Sequence, residues 1–347
     1  MTVFTHTEFD QHEQVIFCHD PSIDLQAIIA IHSTVLGPAA GGCRMHPYQS
    51  VDDAITDVLR LSKGMSYKNA MAGLPLGGGK CVIIADPERS DKPELLRQFS
   101  KHVQQLGGRF WTAIDVGVSP ADADILAENC DYIFARASQY PKGFDPSAFT
   151  ALGCFSGIRA VAKHCWSRTD LHGLRVAVQG LGATGADLTR QLCEAGAQVV
   201  VADVDDSAVE SVVDQYDVAS VAPSVIHAQD VDVFAPCAMG GVINDRTIDE
   251  IKARAICGVA NNQLADDSHG IALHESGICY VPDYVVNAGG IMAAGAMIYS
   301  NPTMDESRLR AQGLYDTVLE LLKKSEAERI PCSEAANRMA SARIGRS

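Results

Sequence analysis

Gly180, Gly182 and Gly185 are spaced G-x-G-x-x-G, and Asp203 stands about 20 residues beyond them. A chain with 29 glycines produces such triplets by chance, so the flanking residues decide what this one means. The apolar run LRVAVQ precedes it, a helical pattern through about Ala195 follows it, and AQVVVAD closes on Asp203. That order of strand, glycine turn, helix and strand is the layout a dinucleotide site requires. The glycines let backbone N–H groups approach a pyrophosphate at the positive helix N-terminus, and the carboxylate accepts from ribose hydroxyls. An acid at Asp203 repels a 2′-phosphate, which points to NAD rather than NADP. The competing reading is a structural glycine turn with a surface aspartate.

A second group of residues could move protons. Lys80 follows Gly77, Gly78 and Gly79, but a phosphate loop would need glycine at Leu74 and Ser or Thr at Cys81. Lys80 is instead expected at the mouth of a glycine turn that opens the buried strand CVIIA, with Lys68 near the end of the preceding helix. If both face a cleft, one ammonium can hold a substrate carboxylate. Its charge, with desolvation, can lower the other's pKa until it serves as a base. Asp115, expected at the end of the strand RFWTAID, is the natural proton-relay partner. Outside a cleft, the lysines read as solvated surface residues and the aspartate as a turn or helix cap.

The elements around these residues alternate strand and helix. LQAIIAIHS from Leu25 suits a strand buried on both faces, and GPAAGGCR reads as a turn. Ser50 with Asp53 opens a helix running past Met65, and Ser119, Pro120 and Asp122 mark another helix start. Residues from Ala135 to Ser147, with Pro141, Gly143 and Pro146, read as a loop and hinge. Beyond it, VDVFAP, AICGVA and ICYV extend a parallel sheet, and the last forty residues are helical, with Leu309, Leu314, Val318, Leu321 and Leu322 on an apolar face. The expected fold is α/β with two domains and a cleft between them. Residues 1–140 form an α/β substrate-binding and oligomerisation domain, residues 147–330 a doubly wound, Rossmann-type NAD domain, and residues 331–347 a helix packing back toward the first domain.

Composition narrows the function classes. The chain has 347 residues, 47% hydrophobic and 20% charged, which suits two globular cores and excludes disorder and coiled coil. A net charge of −15 repels nucleic acid and anionic membranes, and no apolar run reaches the ~20 residues of a transmembrane span. The expectation is a cytoplasmic protein with neither nucleic acid nor membrane as partner. Eleven cysteines without a C-x-x-C pair read as reduced and mostly buried, and the eleven histidines offer no metal-ligand spacing, so no metal is expected.

The ordered set GPAAGGCRM (37–45), GMSYKNAMAGLPLGGGK (64–80), TAIDVG (112–117), FTALG (149–153), VAVQGLGATG (176–185), APCAMGG (235–241), VANNQL (259–264) and PDYVVNAGG (282–290) resembles the Glu/Leu/Phe/Val amino acid dehydrogenase family, leucine and phenylalanine branch. The resemblance runs from about residue 15 to the C-terminus. It implies that Lys80 is the catalytic base, that Lys68 binds the substrate carboxylate and that Asp115 assists proton transfer. It also places Gly41, Gly42 and Met65 at the substrate, and has Thr150 orient the nicotinamide amide. Asn261 and Asn262 serve nicotinamide and substrate carboxylate, the first grouped with the cofactor and the second with the substrate. Gly180, Gly182, Ala183, Thr184, Gly185, Asp203, Cys237, Ala238 and Ala260 complete the implied cofactor set.

The reaction this implies is reversible oxidative deamination of a hydrophobic L-amino acid to a 2-oxo acid, ammonia and NADH, by a homo-oligomer. Relatives of the leucine type carry proline at Ala148, which is remote from the chemistry, and branched residues at Ala40 and Ala294. With Ala113 and Ile291, those two would line the side-chain pocket. The loss of about five carbons favours an aromatic substrate such as phenylalanine or tryptophan. The alternative is a leucine or branched-chain enzyme in which flexible Met71 or Met292 refills the gap. A glutamate enzyme would carry lysine at Ala40. A 2-hydroxy acid dehydrogenase would use a histidine base with an arginine clamp, and a non-catalytic NAD sensor would have no need of Lys68, Lys80 and Asp115 together.

Overall fold

A computed structural model of the chain describes residues 2–140, 142–300 and 302–346; Pro141, in the segment read as a loop, lies outside them. The chain forms two compact units, Met1–Phe144 with Ala294–Asn301 and Ala340–Ser347, and Asp145–Ala293 with Pro302–Met339.

The first unit is built on strands β1 (Gln14–Asp20), β2 (Leu25–Ser33), β3 (Ala39–His46), β4 (Gly77–Ile84) and β5 (Phe110–Ala113), with helices α1 (Val51–Met71), α2 (Lys92–Gln104) and α3 (Pro120–Leu126). The sheet order is β1-β2-β4-β3-β5. β2 runs antiparallel to both β1 and β4, whereas β3 is parallel to β4 and β5. One face buries Leu25, Ile29, Met45 and Ile83 against Leu95, Leu96 and Phe99 of α2, and the other buries Ile28, Ala30 and Val82 against Val58 and Leu59 of α1. β2 is apolar at successive positions because both its faces are covered.

Two glycine runs expected to form turns lie within strands. Gly41 and Gly42 are inside β3, and Gly77, Gly78 and Gly79 begin β4, so Lys80 sits in a strand rather than at its mouth. Close approach explains the glycines. A Cβ on Gly78 would fall 2.0 Å from the Ser66 backbone nitrogen in α1, and one on Gly41 would fall 1.8 Å from the Gly79 carbonyl oxygen. β5 ends at Ala113, leaving Asp115 just past the strand, where it bridges to Val118.

α1 starts where Ser50 Oγ accepts from the Asp53 N–H, and α3 starts on a reciprocal Ser119–Asp122 capping box with Pro120 in its first turn. The carbonyls ending α1 receive the Arg343 guanidinium, 2.9 Å from Ala70 O. Arg346 donates to the carbonyls of Asp10, Gln11 and His32 at 2.8–2.9 Å. The C-terminal residues thus hold the first unit's helix end and strand β2.

The second unit contains α4 (Pro146–Trp166), β6 (Arg175–Gln179), α5 (Ala183–Glu194), β7 (Gln198–Ala202), α6 (Asp206–Tyr216), β8 (Ala219–Ser220), β9 (Val233–Pro236), β10 (Ala255–Ile256), α7 (Asp267–Glu275), β11 (Cys279–Tyr280) and α8 (Asp283–Val286). α9 (Gly289–Gly295), α10 (Met304–Gln312), α11 (Leu314–Glu328) and α12 (Cys332–Arg343) follow. Every strand pair is parallel, in the order β11-β10-β9-β6-β7-β8, the doubly wound arrangement expected. Pro146 opens α4 behind an Asp145 cap rather than closing a loop. The C-terminal strands are only two residues long. Leu314, Val318, Leu321 and Leu322 are buried along α11, but Leu309 on α10 is 68% exposed and leaves the expected apolar face.

The glycine contacts give a direct test. Gly78→Ala should cost more than about 3 kcal/mol, because helix backbone must move to admit the methyl group. Gly64→Ala, in α1 with nothing within 4 Å of its Cβ position, should leave stability unchanged or raise it by up to about 1 kcal/mol. Equal melting temperatures for the two variants would contradict the packing described.

Candidate active site

In the first unit β3, β4 and the residues after β5 bring Lys80 and Asp115 together. Lys80 is 4% exposed, and its ammonium donates to Asp115 Oδ2 in a direct ion pair. The other oxygen, Oδ1, accepts from Arg44 Nε at 3.1 Å and from the Val116 N–H at 2.6 Å. Arg44 in turn donates through Nη1 to Asp57, 2.9 Å from Oδ2, and Tyr48 OH donates to the same oxygen at 2.6 Å. The result is a line of alternating charge, Lys80, Asp115, Arg44 and Asp57, running from the middle of the sheet to α1. Burial raises the Asp115 pKa, but the charges of Lys80 and Arg44 and the bonds from Lys80 and the Val116 N–H outweigh it and hold the carboxyl below its ordinary range.

Backbone packing sets the floor of this site. Gly42 pairs with Ala113 in the β3–β5 ladder, and a Cβ there would fall 2.9 Å from Asp115 Cβ. Gly41 lies with Met65 Cγ 3.1 Å from its Cβ position. Ala40 pairs with Gly78 on one side and Trp111 on the other, and is fully buried. Lys68 is half-buried in the last turn of α1, one residue before Asn69, whose Nδ2 donates to Gly77 O at 2.6 Å and ties that turn to the start of β4. Ala294 is buried and belongs to the same unit, whereas Ile291, Asn261 and Asn262 belong to the second.

Arg44 is the residue the sequence reading passed over. It stands in the quoted run GPAAGGCRM, and strand alternation from Gly42 through Arg44 would have put its side chain on the same face as the Gly42–Asp115 contact.

In the second unit each glycine of the triplet has a distinct place. Gly180, at the end of β6, has φ +97°, and a Cβ there would strike Ala238 at 2.7 Å. Gly182 caps α5 and has nothing within 4 Å of its Cβ position. A Cβ on Gly185 would fall 1.9 Å from the Gly180 carbonyl oxygen. These are the tight turn, the open approach and the close helix–strand contact that a pyrophosphate site needs. Ala183 is exposed and Thr184 half-buried in the first turn of α5. Asp203 Oδ2 accepts from the Leu181 N–H at 2.5 Å, which fixes the carboxylate beside the glycine turn.

The remaining cofactor candidates lie in the same unit. The Cys237 N–H donates to Gln179 O at 2.7 Å, which holds the chain after β9 against the end of β6 and places Ala238 beside Gly180. Asn261 Oδ1 accepts from Asn287 Nδ2 at 2.8 Å, and Asn287 also donates to Val259 O next to buried Ala260. Asn262 holds a left-handed φ of +53°, and its carbonyl accepts from Gly241 N at 2.7 Å. Thr150 Oγ1 donates to Pro146 O at 3.0 Å and lies 2.7 Å from the Cβ position of Gly290. The Asn287 side-chain oxygen is buried without a partner, so the segment retains an acceptor for a ligand amide. The residues present fit NAD.

Comparison with known proteins agrees with both units. Residues 12–132 match the family described as Glu/Leu/Phe/Val dehydrogenase, dimerisation domain, and residues 205–346 match Glutamate/Leucine/Phenylalanine/Valine dehydrogenase. A leucine dehydrogenase of Bacillus subtilis is 42% identical over 100% of this chain and 95% of its own length. A phenylalanine dehydrogenase of Caldalkalibacillus thermarum is 44% identical over 99% of this chain and 94% of its own. The crystal structure of L-tryptophan dehydrogenase from Nostoc punctiforme superposes with a TM-score of 0.87 at 40% identity, covering 96% of each chain. With identity above 40% along its whole length and both halves matched, the chain belongs to the Glu/Leu/Phe/Val dehydrogenase family.

Proposed function

We propose that this enzyme catalyses the reversible NAD-dependent oxidative deamination of a hydrophobic L-amino acid to the 2-oxo acid, ammonia and NADH, with aromatic side chains favoured. The observation that carries this reading is the buried Lys80–Asp115 pair on the glycine-lined strands of the first unit. NAD, held by the Gly180–Gly185 turn and Asp203, would supply the acceptor for the substrate Cα hydride, so that the substrate carbon becomes an iminium open to water. Neutral Lys80, its ammonium proton passed through Asp115 to solvent, takes the proton of the attacking water, and Asp115, in contact with Lys80 Nζ, carries protons to and from the nitrogen as the carbinolamine collapses. Arg44 is a positioning residue: it fixes Asp115 Oδ1 so that Oδ2 faces Lys80. Lys68 and Asn262 bind the substrate carboxylate, beside Gly41, Gly42 and Met65.

On the second unit Gly180, Gly182, Ala183, Thr184 and Gly185 hold the pyrophosphate, and Asp203 holds the ribose hydroxyls and disfavours NADP. Thr150 and Asn261 orient the nicotinamide amide, with Cys237, Ala238 and Ala260 alongside. Small residues at Ala40, Ala113 and Ala294, with Ile291, leave room for a ring in the side-chain pocket. The enzyme works as a homo-oligomer in the cytoplasm. Among the described residues no helix is long and apolar enough to cross a membrane, and β1, an edge strand exposing Phe17, offers the first unit a surface for a second copy.

Lys80→Ala should abolish turnover while NADH binding, followed by fluorescence, stays near wild type; Lys68→Ala should chiefly raise KM. Retained turnover in the first variant, or unchanged KM in the second, would remove that lysine from its role. Arg44→Gln should lower kcat about tenfold to a hundredfold with a smaller effect on KM, and Arg44→Lys should restore part of it. If both variants match wild type in kcat, Arg44 does not position the carboxylate.

Ranking kcat/KM for Phe, Trp, Leu and Val tests the substrate. An underfilled pocket costs leucine about 2 kcal/mol, tens of fold, and the Ala40→Leu, Ala294→Val double variant should move the ranking toward leucine. Leucine leading in the wild type, or a ranking unmoved by refilling, would contradict the pocket assignment.

A further inference from the structure

The last turn of α1 carries Lys68, and it is completed by an arginine 273 positions further along the chain. Three carbonyls of that turn meet amides of the residues that follow: the Ala72 N–H donates to Lys68 O at 2.9 Å, that of Leu74 to Asn69 O at 3.0 Å and that of Gly73 to Ala70 O at 3.1 Å. Arg343 adds a cation at the negative end of the helix dipole. Its Nη1 donates to Ala70 O at 2.9 Å and to Met71 O at 3.3 Å. Beside it, Ser341 Oγ lies 3.1 Å from the Tyr67 hydroxyl, on the residue before Lys68.

A second path from the same C-terminal segment reaches α1 through β2. Besides its three backbone carbonyls, Arg346 meets His32 Nε2 with Nη1 at 2.5 Å. A guanidinium can only donate, so Nε2 accepts and the ring proton sits on Nδ1, which donates to Ser66 Oγ at 2.7 Å. His32 and Ser66 are both fully buried. Ser66 stands in α1 between Met65 and Tyr67, and a Cβ on Gly78, two residues before Lys80, would fall 2.0 Å from its backbone nitrogen. Between the two arginines the Ile344 side chain is buried, which seats the segment. Arg343 thus holds the end of α1 and Arg346 the turn before it, and both belong with Lys68 to the first unit.

The helix as a whole does not need these contacts. Ser50 caps its start, and Val58 and Leu59 bury its middle. A terminal turn is different, because it is the part of a helix that frays first, and Lys68 stands in it. A group that binds a carboxylate must be held in place by its supporting residues. We propose that Arg343 and Arg346 are positioning residues of the substrate site. Arg343 fixes the last turn of α1 so that Lys68 is held where it binds the substrate carboxylate, and Arg346, through His32 and Ser66, fixes the turn that bears Met65. The proposal rests on the carboxylate role given to Lys68 above. Since α12 passes from the second unit into the first at Met339–Ala340, the segment that follows the NAD unit completes the helix that binds the substrate.

A double-variant cycle in the full-length enzyme tests this, with kcat, the amino acid KM and the NAD KM measured for Arg343→Met, Lys68→Ala and the two together. Arg343→Met should raise the amino acid KM about fivefold to twentyfold and change kcat and the NAD KM by less than about twofold, and Arg343→Lys should recover part of the loss. In the Lys68→Ala background the same substitution should raise KM by less than about twofold, because the turn no longer carries the ammonium. Arg346→Met should raise the amino acid KM about twofold to fivefold. In Arg343→Met, amide hydrogen exchange should quicken over residues 66–74 and stay slow over residues 51–60, which a general loss of stability would not produce. If Arg343→Met fails to fold, Arg343→Gln, which keeps N–H donors and drops the charge, takes its place, with a rise of about twofold to fivefold. An unchanged amino acid KM in either arginine variant, a rise undiminished in the Lys68→Ala background, or exchange quickened equally along α1 would overturn the proposal. A wild-type KM in Lys68→Ala would overturn it at a different point, by removing the carboxylate role of Lys68, and that single variant tells the two failures apart.

Discussion

A lysine in the middle of a covered sheet must be paired, since an isolated buried charge costs several kcal/mol, and most of the first unit can be derived from that constraint. Asp115 supplies the partner, but a half-buried carboxylate at this place needs its second oxygen satisfied as well. Arg44 and the Val116 N–H do this, and Arg44 brings a charge of its own that Asp57 and Tyr48 answer at the edge of α1. The pairing therefore propagates outward until it reaches half-exposed side chains. Replacing this chain of ions by apolar residues of similar volume would cost little stability, so the charges point to chemistry rather than to folding.

The same economy of space appears in both units. In β3 and β4 glycine removes the side chains that would hold α1 and the neighbouring strand away from Lys80. In the β6–α5 turn it lets a helix N-terminus approach β6 and leaves open space in front of Gly182. Glycine is used at the first place for packing between elements, and at the second both for packing and for access by an anionic ligand. The second unit presents its glycine turn and Asp203 where parallel strands end, whereas the first holds Lys80 within β4 and only Asp115 just past a strand end.

Much of this was readable in the sequence because the signals were local. The triplet with its flanking strands, the Ser119–Asp122 cap and the buried run of β2 each follow from residues close together in the chain. What failed depended on distant contacts. Gly77–Gly79 looked like a turn ahead of the strand, because propensity cannot register that Ser66 of α1 crosses directly over Gly78. Strand alternation gives the face on which Arg44 lies but not its partners, since Asp57 and Asp115 lie 13 and 71 residues away. Leu309 fitted a helical stripe, but α10 ends at Gln312 and α11 starts anew at Leu314, so the stripe does not continue in register. The cysteines, read as reduced and mostly buried, divide into six buried and five partly exposed thiols, a division that spacing along the chain does not give.

The central claim is that Lys80 acts as a base and is more than a structural partner for Asp115. Chemical rescue of Lys80→Ala by small primary amines tests it most directly. Truncation at position 80 removes three methylenes and an ammonium, a space that ethylamine or propylamine can occupy, and turnover of the preferred amino acid with NAD is measured against amine concentration and basicity. The account predicts saturable recovery that rises with amine basicity among amines of similar size. A variant that still binds NADH and substrate but gains nothing from any amine, or whose recovery tracks amine size alone, would contradict it.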